Sequence, residues 1–328
     1  MGHLTTADGK QVLLATDMDG TVFDNRKGID PCPYAGKIMP GDVTSMTFKE
    51  MAHADGVVPF PVTGRNIREL DEGLRHYGFD DLNLPYAAVD TGLHVYERVG
   101  GSWRFDSTFN NMVSQQVASL NWDKKALMGM LGSFASSVVS PTQDIETQSS
   151  ESLKVQWTVH DTSKVNELVH CVREAIERHG MMNAAVVVGS IDPAKAKGFI
   201  DVMPLYRFED DPSNPVTGKV IGIEYVRRKL GLNKEQVLYA GDSGNDFHAL
   251  IGGYRGTLVG NASEAVRARL QQEAREKQIS ELLHFPEGKW RKFDNGHCLR
   301  GKIRGMCEHG VFDPDVLFEN GLTVFDPN

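Results

Sequence analysis

Apolar and polar positions change rhythm along the chain, and each change marks an element. "QVLLAT", residues 11–16, is a short apolar run that stops at an aspartate-rich turn, as a buried strand does. Helical spacing follows from Asp42 and stops at Gly56. "VVPFP" predicts a second strand, opening into the polar turn Thr63-Gly64-Arg65. "NIRELDEGLRHYG" predicts a helix closed by Gly78, and "YAAVDTGLHVYE" a third strand and a turn. An alternation of strands and helices predicts a parallel α/β sheet.

Between residues 105 and 212 the rhythm differs. "NNMVSQQVASLNWDKKALMGMLGSF" has helical spacing, whereas "SLKVQWTVH" alternates as a half-buried antiparallel strand does. In "SKVNELVHCVREAIERHG" the residues Val165, Leu168, Val169, Val172 and Ile176 share one helical face, and Gly180 closes the helix. "AAVVVGS" and "FIDVMPLY" predict two more strands. The mixture predicts an α+β unit inserted into the first sheet. The Pro/Gly/Ser-rich stretch Asp210–Lys219 is the expected return. The strand–helix pattern then resumes: a helix in "VIGIEYVRRKLGL", and a strand in "EQVLYAG" ending in a second acidic turn, "DSGND". A short helix, a short strand, a charged helix and a final helix over Cys298–Gly310 complete the reading.

With 328 residues the chain is long enough for two units. Its 40% hydrophobic and 24% charged content is that of a globular protein, and no apolar run reaches membrane-spanning length. The start lacks the basic-then-apolar pattern of a signal peptide. Cys32, Cys171, Cys298 and Cys307 are scattered and read as free thiols, consistent with a cytoplasmic protein. The net charge of −9, with no dense Lys/Arg block, argues against nucleic acid and membranes as partners. An acidic chain that binds an anion needs local help from a cation or a lysine.

That need is sharpest where strands end. Asp17 and Asp19, then Thr63 and Gly64, then Asp242, Asn245 and Asp246 all follow apolar runs. In a parallel sheet such ends open onto one edge. Carboxylates crowded there repel unless a cation intervenes. Oxygen ligands without His or Cys favour Mg²⁺. The metal candidates are Asp17, Asp19, Asp242 and Asp246. The last serves either as a ligand or by orienting Lys219 or a metal-bound water. A carboxylate beside the metal can act as nucleophile, and one two positions on as acid and base. Lys219, Thr63 and Asn245 would neutralise a phosphoryl group. A lysine at a helix N-terminus opposes the helix dipole, so an anion at Lys219 would explain it. Arg65 and Asn66 either reach a substrate or simply start a helix.

Together these residues resemble the haloacid dehalogenase superfamily of phosphohydrolases. "DMDGT" (Asp17–Thr21), "VTGR" (Val62–Arg65), Gly218-Lys219 and "GDSGND" (Gly241–Asp246) look like its four motifs, in the family's order. The resemblance implies a three-layer Rossmann-like α/β core over 1–104 and 213–328, with an inserted α+β cap over 105–212. The stretch around "GKVIGIEYVRRKLGL" and "VGNASEAV" is most similar to sucrose-phosphate phosphatases and related sugar phosphatases. By the same resemblance Lys154, in "SLKVQW", faces the sugar phosphate; by composition alone it is as readily an exposed strand lysine. The implied activity is Mg²⁺-dependent hydrolysis of a small sugar phosphate by a monomer or weak homo-oligomer. Asp17 would be the nucleophile and Asp19 the acid–base residue. A phosphomannomutase-like phosphotransferase and a non-catalytic sugar-phosphate binder are the alternatives.

Overall fold

The computed structural model describes residues 4–23, 43–120, 122–142, 153–181, 184–188, 197–286, 298–320 and 322. In chain order the first elements are β1 (Val12–Thr16), α1 (Val43–Ala52), β2 (Val57–Pro61), α2 (Ile67–His76), β3 (Tyr86–Val89), β4 (His94–Val99) and β5 (Ser102–Phe105). Then come α3 (Ser107–Ala118), α4 (Lys124–Gly129), β6 (Val139–Pro141), β7 (Val155–Val159), α5 (Val165–Arg178), β8 (Ala184–Val188), β9 (Gly198–Phe208) and β10 (Asp211–Thr217). The chain continues through α6 (Lys219–Lys229), β11 (Val237–Gly241), α7 (Phe247–Leu250), β12 (Arg255–Leu258) and α8 (Glu264–Glu276). It ends with β13 (Leu283–His284), α9 (Cys298–Glu308) and α10 (Pro314–Glu319).

The main sheet is parallel, in the order β13-β12-β11-β1-β2. β1 is central and all five of its residues are buried, because helices cover both faces. Alternation sorts its side chains. Val12 and Leu14 join the cluster of Phe48, Met51, Leu70 and Ile303, while Leu13 and Ala15 join that of Phe60, Ile221, Val226 and Leu250. This is the helix–sheet–helix layering of the expected core. The chain leaves β1 for β2 on one side and reaches β11 on the other. The ends of β1, β2 and β11 therefore open side by side where the strand order reverses.

β3 departs from the expected parallel run. It pairs antiparallel with β4 in a sheet of order β3-β4-β5 and meets the end of β2 through the parallel bridge Val62–Ala88. The helix expected over 110–134 is two helices, because Asp123 caps a new start by accepting from the Ala126 N–H at 2.9 Å.

A second sheet is antiparallel, in the order β10-β9-β7-β6, with β8 also on β9. β9 is long enough to pair β7 along one edge and β8 then β10 along the other. Its own apolar cluster includes Trp157, Val159, Leu168, Val172, Ile200 and Val202. The predicted face of α5, Val165, Leu168, Val169, Val172 and Ile176, is buried here. The expected return segment is a strand instead. β10 lies at a sheet edge, and its register shifts between Asp211 and Val216, which accommodates Pro212 and Pro215. From Thr217 the chain passes through Gly218 straight into α6. Among the described residues no helix is long and apolar enough to cross a membrane, and Cys171 and Cys307 are free thiols.

Candidate active site

The site is built at the end of β1. The backbone N–H of Asp17 donates to the Ala240 carbonyl at 2.9 Å, which fixes the side chain at the mouth of the sheet. Its carboxylate is almost fully buried. One oxygen accepts from Lys219 Nζ and the other from Thr21 Oγ1 at 3.4 Å. Burial pushes Asp17 up, to about 7, and the neighbouring Asp246 and Asp19 carboxylates add to this against Lys219.

Lys219 opens α6 and is 1% exposed, so it is no surface lysine. Its Nζ lies between Asp17 and Asp246, 2.6 Å from Asp246 Oδ1. Burial works against its charge, but the two carboxylates outweigh burial and hold it above the ordinary lysine range. A buried cation at a helix N-terminus is tolerable because it is paired twice. Gly92 permits this geometry: a Cβ there would stand 2.6 Å from the Lys219 Cα.

Asp242, Asn245 and Asp246 come from the turn after β11. Asp246 is fully buried and fully used. It accepts from Lys219, the Tyr239 hydroxyl, the Asp242 and Ser243 N–H groups at 3.0 and 2.9 Å, and Ser243 Oγ at 3.2 Å. It thus shapes the turn and holds Lys219. Asn245 Oδ1 accepts from Ser243 Oγ at 2.9 Å, which leaves its amide hydrogens to donate.

Gly20 closes the first turn at φ +76°, and a Cβ there would meet Asp242 Oδ2 at 2.1 Å. The two acidic turns touch only because residue 20 has no side chain. Asn261, which the sequence reading did not single out, ties them by donating to the Gly20 carbonyl at 2.9 Å and to Asp242 Oδ2 at 3.3 Å. Burial and the Asp17 and Asp246 carboxylates push Asp242 well above the ordinary carboxylate range.

Asp17, Asp242 and Asp246 each offer an oxygen, and these lie within 4.8 Å of one another. Burial first, and then the neighbouring carboxylates, push the Asp17 and Asp242 carboxyls up against the pull of Lys219. The donor set is all oxygen. A hard divalent cation of the Mg²⁺ kind fits both the chemistry and the uncompensated charge. The Asp19 carboxylate is not part of this cluster. It is held by Arg65, with Nε to Oδ2 at 2.8 Å and Nη2 to Oδ1 at 2.5 Å.

Thr63, at the end of β2, is fully buried. Its Oγ1 accepts from the Arg65 N–H at 3.1 Å, so its own hydrogen is left to donate. Gly64 is exposed beside it. Asn66 caps α2 in a capping box with Glu69 rather than facing the cleft.

Lys154, just before β7, is buried rather than exposed. Its Nζ reaches from the antiparallel unit to Thr91 Oγ1 at 3.3 Å and Asp90 Oδ1 at 3.8 Å. Asp90 and Thr91 both adopt positive φ, 49° and 59°, a costly backbone for residues with a side chain. Their N–H groups are pinned to the Arg65 and Thr63 carbonyls at 2.9 and 2.8 Å. The strained turn thus joins Lys154 to the end of β2. Asp201, whose carboxyl burial pushes up, accepts from Gln156 at 2.7 Å nearby.

The four segments singled out in the sequence therefore converge. Comparison with known proteins gives this arrangement a family. A model of the family described as Sucrose-6F-phosphate phosphohydrolase matches residues 10–282. A protein of Nitrosococcus oceani described as a putative HAD-like hydrolase is 23% identical over 302 residues, covering 91% of this chain and 71% of that protein. The crystal structure of the sucrose-phosphatase of a Synechocystis species, in complex with sucrose and phosphate, superposes with a TM-score of 0.63 at 16% identity. It covers 92% of this chain and 98% of its own. A haloacid dehalogenase-like hydrolase of Bacillus subtilis superposes with a TM-score of 0.51 at 16% identity, covering 94% and 95%. At those identities the structural likeness is one of fold.

Proposed function

Since the chain belongs to the sucrose-6F-phosphate phosphohydrolase family, and is a phosphatase of the haloacid dehalogenase type, we propose that it hydrolyses a phosphate monoester of a sugar or small sugar derivative through an aspartyl phosphate on Asp17. The observation that carries this reading is the placement of Lys219. A buried ammonium spanning the Asp17 and Asp246 carboxylates supports the reading, because such a group can receive a phosphoryl oxygen beside Asp17.

Thr63 Oγ1, Lys219 Nζ and the Asn245 amide each have a hydrogen to donate, and together they bind and orient the phosphate oxygens. Asp17 attacks phosphorus in line. Asp19 protonates the departing sugar oxygen, then removes a proton from the water that releases phosphate. Mg²⁺ bound by Asp17, Asp242 and the Asp19 carbonyl would neutralise developing charge on the phosphoryl oxygens. Asp246 acts by orienting Lys219 and the turn that carries Asp242. The division of the chain into a core over 1–104 and 213–328 and a cap over 105–212 belongs to this reading, with the second boundary moved to the end of β10 at Thr217, because β10 pairs with β9. Lys154 is the contact by which that cap, closing over the site, meets the sugar phosphate, and the cap excludes water.

The test is a phosphate-release screen over sucrose 6-phosphate, trehalose 6-phosphate, mannosyl- and glucosyl-phosphoglycerate and simple hexose phosphates. Release from one of these, without a bisphosphate activator, is expected. Transfer to a second sugar hydroxyl without phosphate release would point to a mutase instead.

A further inference from the structure

Arg65 is built into its place. Its N–H donates to Thr63 Oγ1 at 3.1 Å, and its carbonyl accepts from the Asp90 N–H at 2.9 Å. Its Nη1 donates to the Glu69 carbonyl at 3.3 Å, and the guanidinium lies 5.2 Å from the centre of the Phe23 ring. Phe23 is itself stacked on Tyr77 at 4.6 Å. Gly73 of α2 leaves the room: a Cβ there would stand 2.7 Å from Phe23 Cε2 and 3.0 Å from Arg65 Nη1. The remaining face of the guanidinium meets both carboxylate oxygens of Asp19, at 2.8 and 2.5 Å.

This two-point pair has a consequence for proton transfer. A carboxylate oxygen engaged by a guanidinium N–H cannot at that moment hand a proton to a leaving oxygen. Lysine, a point charge, could not hold both oxygens in one plane. We propose that Arg65 is the positioning residue of the acid–base carboxylate. It holds Asp19 aside before substrate enters, then gives up one oxygen while keeping the other oriented. The inference rests on the reading of Asp19 given above. The protonated Asp19 oxygen gives its proton to the bridging oxygen as the P–O bond to the sugar breaks and the Asp17 Oδ–P bond forms. The resulting carboxylate then takes a proton from water as the water oxygen bonds to phosphorus and the Asp17–phosphorus bond breaks. Asp19 is left protonated again.

The experiment compares the burst rate of leaving-group release at saturating substrate, the step that precedes hydrolysis of the aspartyl phosphate, in the wild type, Arg65→Ala, Arg65→Lys and Asp19→Asn on two substrates. One is the best sugar phosphate from the screen. The other is 4-nitrophenyl phosphate, whose leaving group departs without a proton. Arg65→Ala is expected to lose about 10²-fold in that rate on the sugar phosphate, with a far smaller loss on the aryl phosphate. Asp19→Asn shows the same split. Arg65→Lys retains more activity than Arg65→Ala on the sugar phosphate, and millimolar guanidinium restores part of the Arg65→Ala loss on that substrate alone. Equal losses on both substrates would overturn the inference. A split in Asp19→Asn without one in Arg65→Ala would overturn it while leaving the catalytic reading intact. Undiminished turnover by Asp17→Asn would overturn both. If Arg65→Ala is unfolded by its melting curve, the Arg65→Lys comparison alone decides in the same terms.

Discussion

Lys219 Nζ stands 2.6 Å from Asp246 Oδ1, and neither side chain has measurable contact with solvent. Two residues 27 positions apart thus form a buried ion pair at the edge of the main sheet. Four other donors converge on the Asp246 carboxylate and hold it in place.

Removing the ammonium leaves Asp17 and Asp246 buried without a counter-charge. Lys219→Met is therefore expected to cost about 3–5 kcal/mol of stability, as breaking a buried pair from one side does. Turnover should fall with it. Asp246→Asn should recover part of the stability in the double variant, because the uncompensated charge is gone. Denaturant titration of the single and double variants measures both effects, and additive losses would show that the pair is not coupled.

The raised Asp17 carboxyl makes a prediction about pH in chelator-treated protein. Its folded value, about 7, lies above the ordinary 3.8. Between these values the folded state holds a proton that the unfolded state has lost, so this group's contribution to stability declines as pH rises through the window. The melting temperature of Asp17→Asn minus that of wild type is expected to grow between about pH 4 and pH 7. Taking the difference cancels other titrating groups. A flat difference would show that Asp17 is not destabilised by its surroundings.

Mg²⁺ should reverse that destabilisation. Exhaustive chelation is expected to abolish turnover and lower the melting temperature, and added Mg²⁺ to restore both. At about 100 times its dissociation constant the ion would contribute roughly 2.7 kcal/mol. Asp242→Asn should blunt the thermal response. Turnover that survives chelation would contradict the proposed metal.

Gly20→Ala tests the contact between the two acidic turns. The new methyl would overlap the Asp242 carboxylate, 2.1 Å from Oδ2, at a backbone φ of +76°. A loss of at least about tenfold in kcat/KM, with weaker Mg²⁺ dependence, is expected; one such factor corresponds to 1.4 kcal/mol. A variant with native activity would mean that the turns need not touch.

The strand ends were legible because periodicity and polarity agree there. Apolar runs stopping at Asp17, Thr63 and Asp242 can only be buried strands opening onto a polar edge. The helical face of α5 was legible for the same reason, and it is buried as expected. What stayed hidden depends on contacts distant in sequence. Nothing local says that Arg65 turns back to Asp19, 46 residues away, or that Asn261 reaches Gly20, 241 residues away. Lys154 reads equally well as an exposed strand lysine until Thr91 is placed beside it. β10 was read as a connection because proline weakens the strand signal, yet an edge strand with a register shift accepts it. β3 reads as another parallel strand, and only the hairpin after it draws it into antiparallel pairing.

The central claim, that Asp17 receives the phosphoryl group, is tested most directly by trapping it. Asp19→Asn can be mixed with 4-nitrophenyl phosphate, which needs no proton to depart. It should then form the aspartyl phosphate and stall before hydrolysis. Acid quenching and peptide mass spectrometry are predicted to find one added phosphoryl group on the peptide containing Asp17. The adduct should be absent from the Asp17→Asn/Asp19→Asn double variant. Release of 4-nitrophenol with no adduct, or an adduct on another residue, would contradict the account.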